Sequence, residues 1–441
     1  MLVGLFPVGV LYFFIQLYYR TCGPDLQRLD AASRSPIQAK LAEGLEGATT
    51  FRAFRKERRF ATQFRESVDR NSSAMLTFLS AQRWLGLRIE TLGATISFAL
   101  TLTIVCGNKA LQIPPGFVGL VIQYTVIFTT ALNFFFLRLT ESEAKITSIE
   151  RVRQTTSLPQ EAAWKTEDSI ALEPSWPKTG TLEFRKVNMR YREGLPLVLK
   201  DVSFKLESGT RCGVVGRTGS GKTSLLSSLF RLVEIESGSI LLDGMELSKL
   251  GLSDVRGRRN CMRMIPQDPV LFAGRLRNCI DPFRKESDEK ILEALRAVNH
   301  SGAAERGLSI LEDHVEEGGS NFSVGERQLL CLARAIVDAP KVLVLDEATA
   351  SIDSATDTFL QSMLRSRFKD TTLLTIAHRL HTVADYDMIL VMDDGCAVEF
   401  GPPSELLKDP NGYYTALVEA TGPEGSAELR RLAEKVRLER R

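Results

Sequence analysis

Residues 211–224 read RCGVVGRTGSGKTS. An apolar, strand-forming run from Cys212 to Val215 passes into a glycine-rich turn, then into a helix marked by Leu225, Leu226, Leu229 and Phe230. The spacing G-x-x-x-x-G-K-[ST] from Gly216 to Thr223 is that of a phosphate-binding loop. Gly219 and Gly221 free the backbone to curl, so that N–H groups at a helix N-terminus, where the dipole favours anions, can surround phosphate oxygens. Arg217, Thr218, Ser220 and Ser224 complete the loop. Lys222 is expected to reach the β- and γ-phosphates and the Thr223 hydroxyl to ligate Mg²⁺, which makes ATP and Mg²⁺ the expected ligands.

Downstream, KVLVLDEATAS (341–351) sets four apolar residues, Val342 to Leu345, before Asp346 and Glu347. A continuous apolar run suits a strand buried on both faces of a parallel sheet. Carboxylates at its C-terminal end fall where open α/β folds bind ligands. Asp346 is expected to hold Mg²⁺ through water and Glu347 to polarise an attacking water. Taken alone, the pair also fits an ordinary strand end closed by acids; the phosphate loop argues against that.

The chain's 441 residues carry a net charge of +2, with no bias toward nucleic acid. A mean hydropathy near zero averages two unlike halves. Leu2 to Tyr19 is uncharged, near the lower length limit for a membrane span. A signal peptide is the alternative, but no basic start or small-residue cleavage site supports it. Further apolar runs cover about 86–106 and 115–137, with Pro114 and Pro115 marking the start of the last. Residues 20–85 hold twelve Lys/Arg against seven Asp/Glu, whereas 107–116 holds only Lys109. The long loop is therefore expected in the cytosol and the short one outside. That loop reads as two amphipathic helical arms, either lying on lipid or projecting to meet another body. The seven cysteines show no metal-ligand or paired spacing and read as free thiols. Three sequons, at Asn71, Asn299 and Asn321, are expected to be unused because all fall on the cytosolic side.

Between the two nucleotide motifs lies NFSVGERQLLCLARAI (321–336), a Ser-x-Gly turn opening a helix. It resembles the signature motif of ABC ATPases. The resemblance extends to MIPQDPVLF, placing Gln267 in the Q-loop, to LTIAHRL, placing His378 as the γ-phosphate switch, and to Asp353 in the D-loop. Tyr191 matches the aromatic that stacks on adenine. LPLVLKDVSF, IPQDPVLFAGRLRNCIDPF and LVLDEATASID look like the second nucleotide-binding domain of the ABC C subfamily, the multidrug-resistance-associated proteins. RLDAASRSPI, EGLEGATTFRAF and QRWLGLRIE resemble that family's second transmembrane domain, its C-terminal part.

The resemblance implies all-α transmembrane helices joined to an α/β P-loop NTPase domain of the ABC ATPase type, with an antiparallel β subdomain and a helical signature subdomain. It divides the chain into a partial membrane domain (1–145), a linker (146–180), the nucleotide-binding domain (181–415) and a basic tail (416–441). The tail is expected to be solvated and fraying. Glu347, His378 and Gln267 would be catalytic, and Thr223, Gln267 and Asp346 would hold the metal. Glu43 to Gly47 would be a coupling helix docked on another nucleotide-binding domain, which favours projecting arms.

Two positions depart from the family. Glu326 replaces the usual glutamine of the signature Ser323-Val-Gly325, putting a carboxylate near a trans-bound ATP; that second site is expected to bind nucleotide but turn it over slowly. Phe134, followed by Phe135 and Phe136, replaces a tryptophan. The implied partners are a first nucleotide-binding domain with the remaining membrane helices, membrane lipid and an amphipathic organic anion. The resemblance leaves open an exporter, an ATP-gated regulatory subunit or channel relative, and a truncated fragment. It implies an integral protein of the plasma or a vacuolar-type membrane, with its nucleotide domain cytosolic.

Overall fold

The computed structural model describes residues 2–111, 114–167, 170, 172–258, 260–300, 302–346, 354–377 and 379–439, and the chain falls into two compact units, Met1–Pro159 and Gln160–Arg441. The first is helical: α1 (Leu2–Glu46), α2 (Ala48–Ala53), α3 (Glu57–Leu111) and α4 (Pro115–Thr156). The expected spans 2–19, 86–106 and 115–137 fall in α1, α3 and α4. Among the described residues, Glu57–Ile104 is long and apolar enough to cross a membrane, and Gly116–Phe128 is a shorter apolar helix. Pro114 is the N-cap of α4 and Pro115 opens it, since proline fits a helix's first turn.

Neither α1 nor α3 breaks where its sequence turns from apolar to charged. Tyr12 and Tyr19 pack on Leu85 and Ile89. Further along, a polar clasp joins the two helices. The buried Asp30 carboxylate accepts from Arg34 at 2.6 Å and Asn71 Nδ2 at 3.1 Å, and Asn71 also donates to Ser33 Oγ at 2.8 Å. The sequon asparagine is thus spent on helix pairing. At the far end the Phe51 and Phe60 rings meet at a tilt with centroids 4.4 Å apart, and Leu41, Leu45 and Phe54 are exposed.

The second unit is α/β. It runs β1 (Leu182–Met189), β2 (Leu199–Leu206), β3 (Arg211–Val215), α5 (Lys222–Leu229), β4 (Ser237–Leu242), β5 (Met245–Glu246) and β6 (Met262–Ile265). Next come β7 (Gly274–Arg275), α6 (Leu276–Ile280), α7 (Asp288–Ala297), β8 (His314–Val315), α8 (Val324–Asp338), β9 (Val342–Asp346), α9 (Ser354–Arg367) and β10 (Thr372–Ile376). It closes with β11 (Met388–Asp393), β12 (Cys396–Gly401), α10 (Pro403–Leu406), α11 (Tyr413–Glu419) and α12 (Pro423–Glu439). One sheet has the order β12-β11-β3-β10-β9-β6, parallel except at β12, and an antiparallel sheet has the order β2-β1-β4-β5.

Strand periodicity sorts the core. Val342 and Val344 of β9 join α5 and the antiparallel sheet in one cluster, while Leu343 and Leu345 join α6, α7 and α8 in another. Alternate residues of a strand face opposite sides, so both faces must be apolar. Each such leucine taken from water contributes about 1.5–3 kcal/mol.

The segment expected as a linker is helical to Thr156 and, from residue 160, is fastened to the α/β unit. Arg256 donates to both Glu161 carboxylate oxygens, Thr166 Oγ1 donates to Asp254 at 2.6 Å, and Trp176 Nε1 donates to the Leu242 carbonyl at 3.3 Å. Asp243 accepts from the amides of Thr179, Gly180 and Thr181 at 2.8–2.9 Å. The chain's end also differs from the expected fraying tail. Residues 423–439 are helix α12, whose Leu429 and Ala433 are buried, Leu429 in a cluster with Val383, Tyr386 and Val418. Its spaced apolar residues form a face that packs, a tertiary gain that a basic composition conceals.

Burial raises the Asp243 carboxyl, but the hydrogen bonds from the Thr179 hydroxyl and backbone outweigh it and leave the group below its ordinary 3.8. The fastening therefore adds stability above pH 3.8 and loses it as the pH falls through the depressed value. In a Trp84→Phe, Trp164→Phe background, Trp176 emission should stay constant down to pH 3.8 and shift red below it. All seven thiols are free. Burial raises Cys212 and Cys331, and pushes Cys261 up to about 12. Maleimide should modify exposed Cys22 in the native protein and these three only after unfolding, as peptide mapping would show.

Candidate functional site

Register brings the expected residues to one edge. Val214 of β3 lies level with Ile376 of β10, Ile376 with Asp346 of β9, and Leu345 with Ile265 of β6. The phosphate loop leaves β3 at Gly216, and Gln267 lies two residues past the end of β6. All four strand ends point the same way, the edge where parallel sheets bind ligands. Glu347, Asp353 and His378 lie outside the described residues.

The loop demands glycine at both its entry and its exit. A Cβ on Gly216 would stand 2.2 Å from the Met392 carbonyl oxygen and 2.7 Å from Ser220 Oγ. Gly221, the N-cap of α5, has φ 100°, a region that side chains disfavour. Behind the loop, Gly395 N donates to the Ser220 carbonyl at 3.1 Å, which braces it on the β11–β12 turn. Arg217, Thr218, Gly219 and Thr223 are exposed along its crest, while Ser220 and Ser224 are buried. Lys222 Nζ donates to the carbonyls of Gly216 and Arg217 at 2.8 and 3.0 Å, folding its ammonium across the mouth. Ser220 Oγ is buried without a hydrogen-bond partner. This donor set fits a polyphosphate. Tyr191, 48% exposed, is tied to the same helix by its hydroxyl, 2.9 Å from Ser224 Oγ.

Asp346 ends β9 half-buried, and Gln267 is exposed. With Thr223 they offer one hydroxyl, one amide and one carboxylate, hard oxygen donors suited to Mg²⁺ beside phosphates. Among the described residues no group of three or more His, Cys, Asp or Glu could hold a metal by itself.

The signature turn caps α8. Ser323 is its N-cap, Glu326 N donates to Ser323 Oγ at 3.2 Å, and Glu326 Oε2 accepts from Ser323 N and Oγ at 2.8 and 2.9 Å. This reciprocal capping box accommodates the acid at that position, because its third-residue member is either Glu or Gln. The carboxylate thus occupies the positive end of the helix and accepts the serine hydroxyl's hydrogen bond, where an incoming phosphate would need both.

Sequence reading missed three contacts. Gln328, on α8, reaches the backbone beside Gln267; Arg334 Nε donates to the Cys279 carbonyl at 2.5 Å; and Tyr191 holds Ser224. Gln328 alone left a signal, as a polar residue amid the apolar face of α8. In the membrane unit, Phe134 and Phe135 are exposed, and Arg138 lies over the Phe134 ring at 4.9 Å.

Family models describe residues 199–350 as an ABC transporter and residues 1–133 as an ABC transporter transmembrane region. ABC transporter C family member 3 of Dictyostelium discoideum is 43% identical over 436 residues, 98% of this chain and 30% of that protein. ATP-binding cassette sub-family C member 2 of Mus musculus is 39% identical over 420 residues, 95% of this chain and 27% of that protein. Residues 1–133 and 199–350 thus match the two domain types of an ABC transporter, nearly the whole chain is similar to part of ABC transporter C family members, and the transmembrane region makes it an integral membrane protein. It spans 26–32% of the length of the first curated relatives it matches. A solved bacterial Atm1-family ABC exporter with ATP bound superposes with a TM-score of 0.85 at 23% identity, covering 96% of this chain and 72% of that one, a likeness of fold.

Gly216→Ala should weaken ATP binding by about 5–150-fold, since about 1–3 kcal/mol of strain enters the loop, measured by equilibrium dialysis. Glu326→Ala should cost about 0.5–1 kcal/mol of thermal stability and Glu326→Gln less, because alanine removes the side-chain half of the box while Ser323 Oγ still accepts from the amide of residue 326.

Proposed function

We propose that this chain supplies an ATP-binding and hydrolysis domain, with part of the membrane pathway, to an ABC exporter of amphipathic organic anions. The observation that carries the reading is the gathering of the phosphate loop, Gln267 and Asp346 at the ends of β3, β6 and β9. Gly216 to Ser224 would hold the phosphates by backbone N–H groups and Lys222, and Tyr191 would stack on adenine. Thr223, Gln267 and Asp346 would hold Mg²⁺, which neutralises phosphate charge when bound. Glu347 would polarise the attacking water, and His378 and Asp353 would complete the site around the γ-phosphate.

Ser323, Gly325 and Glu326 would face a nucleotide held by a second domain. With the helix end already neutralised by Glu326, that second site would bind ATP but turn it over slowly. The helices unbroken through residues 20–46 and 57–85, with Leu41, Leu45 and Phe54 exposed at their tip, support arms that project into the cytosol. There Glu43 to Gly47 would meet the second nucleotide-binding domain. The remaining helices of a pathway would come from the rest of a longer protein or another chain, in the plasma or a vacuolar-type membrane.

Uptake into inside-out vesicles by the complete assembly tests this. ATP-dependent accumulation of a conjugated organic anion is expected, abolished by Glu347→Gln with ATP binding retained. Glu326→Gln should raise nucleotide trapping at the second site. ATP hydrolysis without any solute movement would instead favour a regulatory or channel-like relative. Unchanged trapping in Glu326→Gln would remove the slow-site assignment.

A further inference from the structure

The turn that leaves β10 is held from two sides. Ala377 N donates to the Val214 carbonyl at 3.1 Å, and the Tyr386 hydroxyl lies 3.1 Å from Thr375 Oγ1. The turn is thus closed on β3 at its start and on β10 at its end. Between those ties Val383 and Ala384 are fully buried. On the inner side Val383 meets β3 at Gly213, where a Cβ would stand 2.6 Å from Val383 Cβ. Glycine there lets the turn sit directly on the strand that enters the phosphate loop. On the outer side lies α12, whose Gly425, Glu428, Leu429 and Leu432 recur at helical spacing and share one face. Glu428 Oε2 is 3.9 Å from His381 Nδ1, and a Cβ on Gly425 would stand 4.0 Å from His381 Nε2. Leu429 is 1% exposed and belongs with Val215, Ala377, Val383 and Ala384 to one buried cluster, against which Leu432 packs.

Two members of this cluster adjoin the chemistry. Val215 directly precedes Gly216 in sequence, and Ala377 directly precedes His378. The last helix therefore closes a core on which the turn after β10 stands. We propose that Leu429 is a positioning residue for hydrolysis, which seats the turn from Arg379 to Ala384 on β3 and through it sets His378 beside the γ-phosphate. This rests on the proposed role of His378. Close-packed cores pass a displacement on rather than absorbing it, and a leucine cut back to alanine leaves the turn without contact atoms on its outer side. A misplacement of about 1 Å at a reacting group can cost about 10²-fold in rate. ATP binding draws instead on the loop itself, which is braced by the Gly395 amide on the β11–β12 turn. Turnover thus depends on α12 where nucleotide affinity does not.

The complete assembly in lipid nanodiscs tests the proposal, with Mg·ATP affinity taken from equilibrium dialysis and kcat expressed per bound nucleotide. Leu429→Ala should leave the affinity unchanged and lower kcat by about tenfold to a hundredfold. Leu429→Met, of similar volume, should restore kcat. Val383→Ala, which removes the same seat from its inner side, should reproduce the split. Hydrogen–deuterium exchange should quicken at 377–386 in both alanine variants and hold at 211–224, a pattern that general unfolding would not give. Should alanine unfold the domain, Leu429→Val, a smaller cut, should show the same split at lower amplitude. Unchanged kcat in these variants overturns the proposal. So does an affinity that falls in step with kcat, or a fall in kcat without faster exchange at 377–386. The parallel variant His378→Ala separates the two readings. Loss of turnover there, with full turnover in Leu429→Ala, defeats the positioning role alone. Full turnover in His378→Ala, or none in the wild type, defeats the switch reading and the positioning role with it.

Discussion

Everything at the candidate site depends on the close approach of Gly216 to the Met392 carbonyl, where even a methyl group would lie 2.2 Å from oxygen. That contact lets the backbone turn sharply out of β3 and face its N–H groups outward above the sheet. It works because β3 is held on both sides by parallel partners, β10 and β11. The same register sets Ile376 and Asp346 level with Val214. One steric constraint and one register thus place a phosphate cradle, a carboxylate and the exit of β10 on a common edge.

The second organising element is α8. Its first turn is closed by Ser323 and Glu326 acting on each other, and its buried face reaches back to Pro266 and Gln267 through Gln328. The helix is therefore anchored at the nucleotide edge and charged at its signature end. The segment 160–181 holds the other side of the domain through Glu161, Thr166 and the Asp243 turn. The segment expected as a linker thus has defined hydrogen-bond partners from Glu161 onward.

Much of this was legible in sequence, for physical reasons. The phosphate loop needs glycine at fixed spacings, so its function is written in residue type. The apolar runs 342–345 and 372–376 are strands buried on both faces, a pattern surface elements do not carry. Three features were not legible. Glu326 read as a departure, because a capping box depends on where a side chain folds back rather than on its charge. The final helix read as a tail, because its apolar residues acquire meaning only against Val383 and Tyr386. Gln328 was passed over, since its partners are backbone carbonyls some sixty residues upstream, and backbone groups have no sequence signature.

Photolabelling tests the central claim most directly, since it reports where the nucleotide lies rather than whether the protein binds one. The full chain would be irradiated with 8-azido-ATP and Mg²⁺, digested and mapped. The account predicts a label within the peptide around Tyr191, removed by excess ATP and absent in Lys222→Ala. A label confined to another part of the chain, or one that excess ATP does not displace, would contradict it.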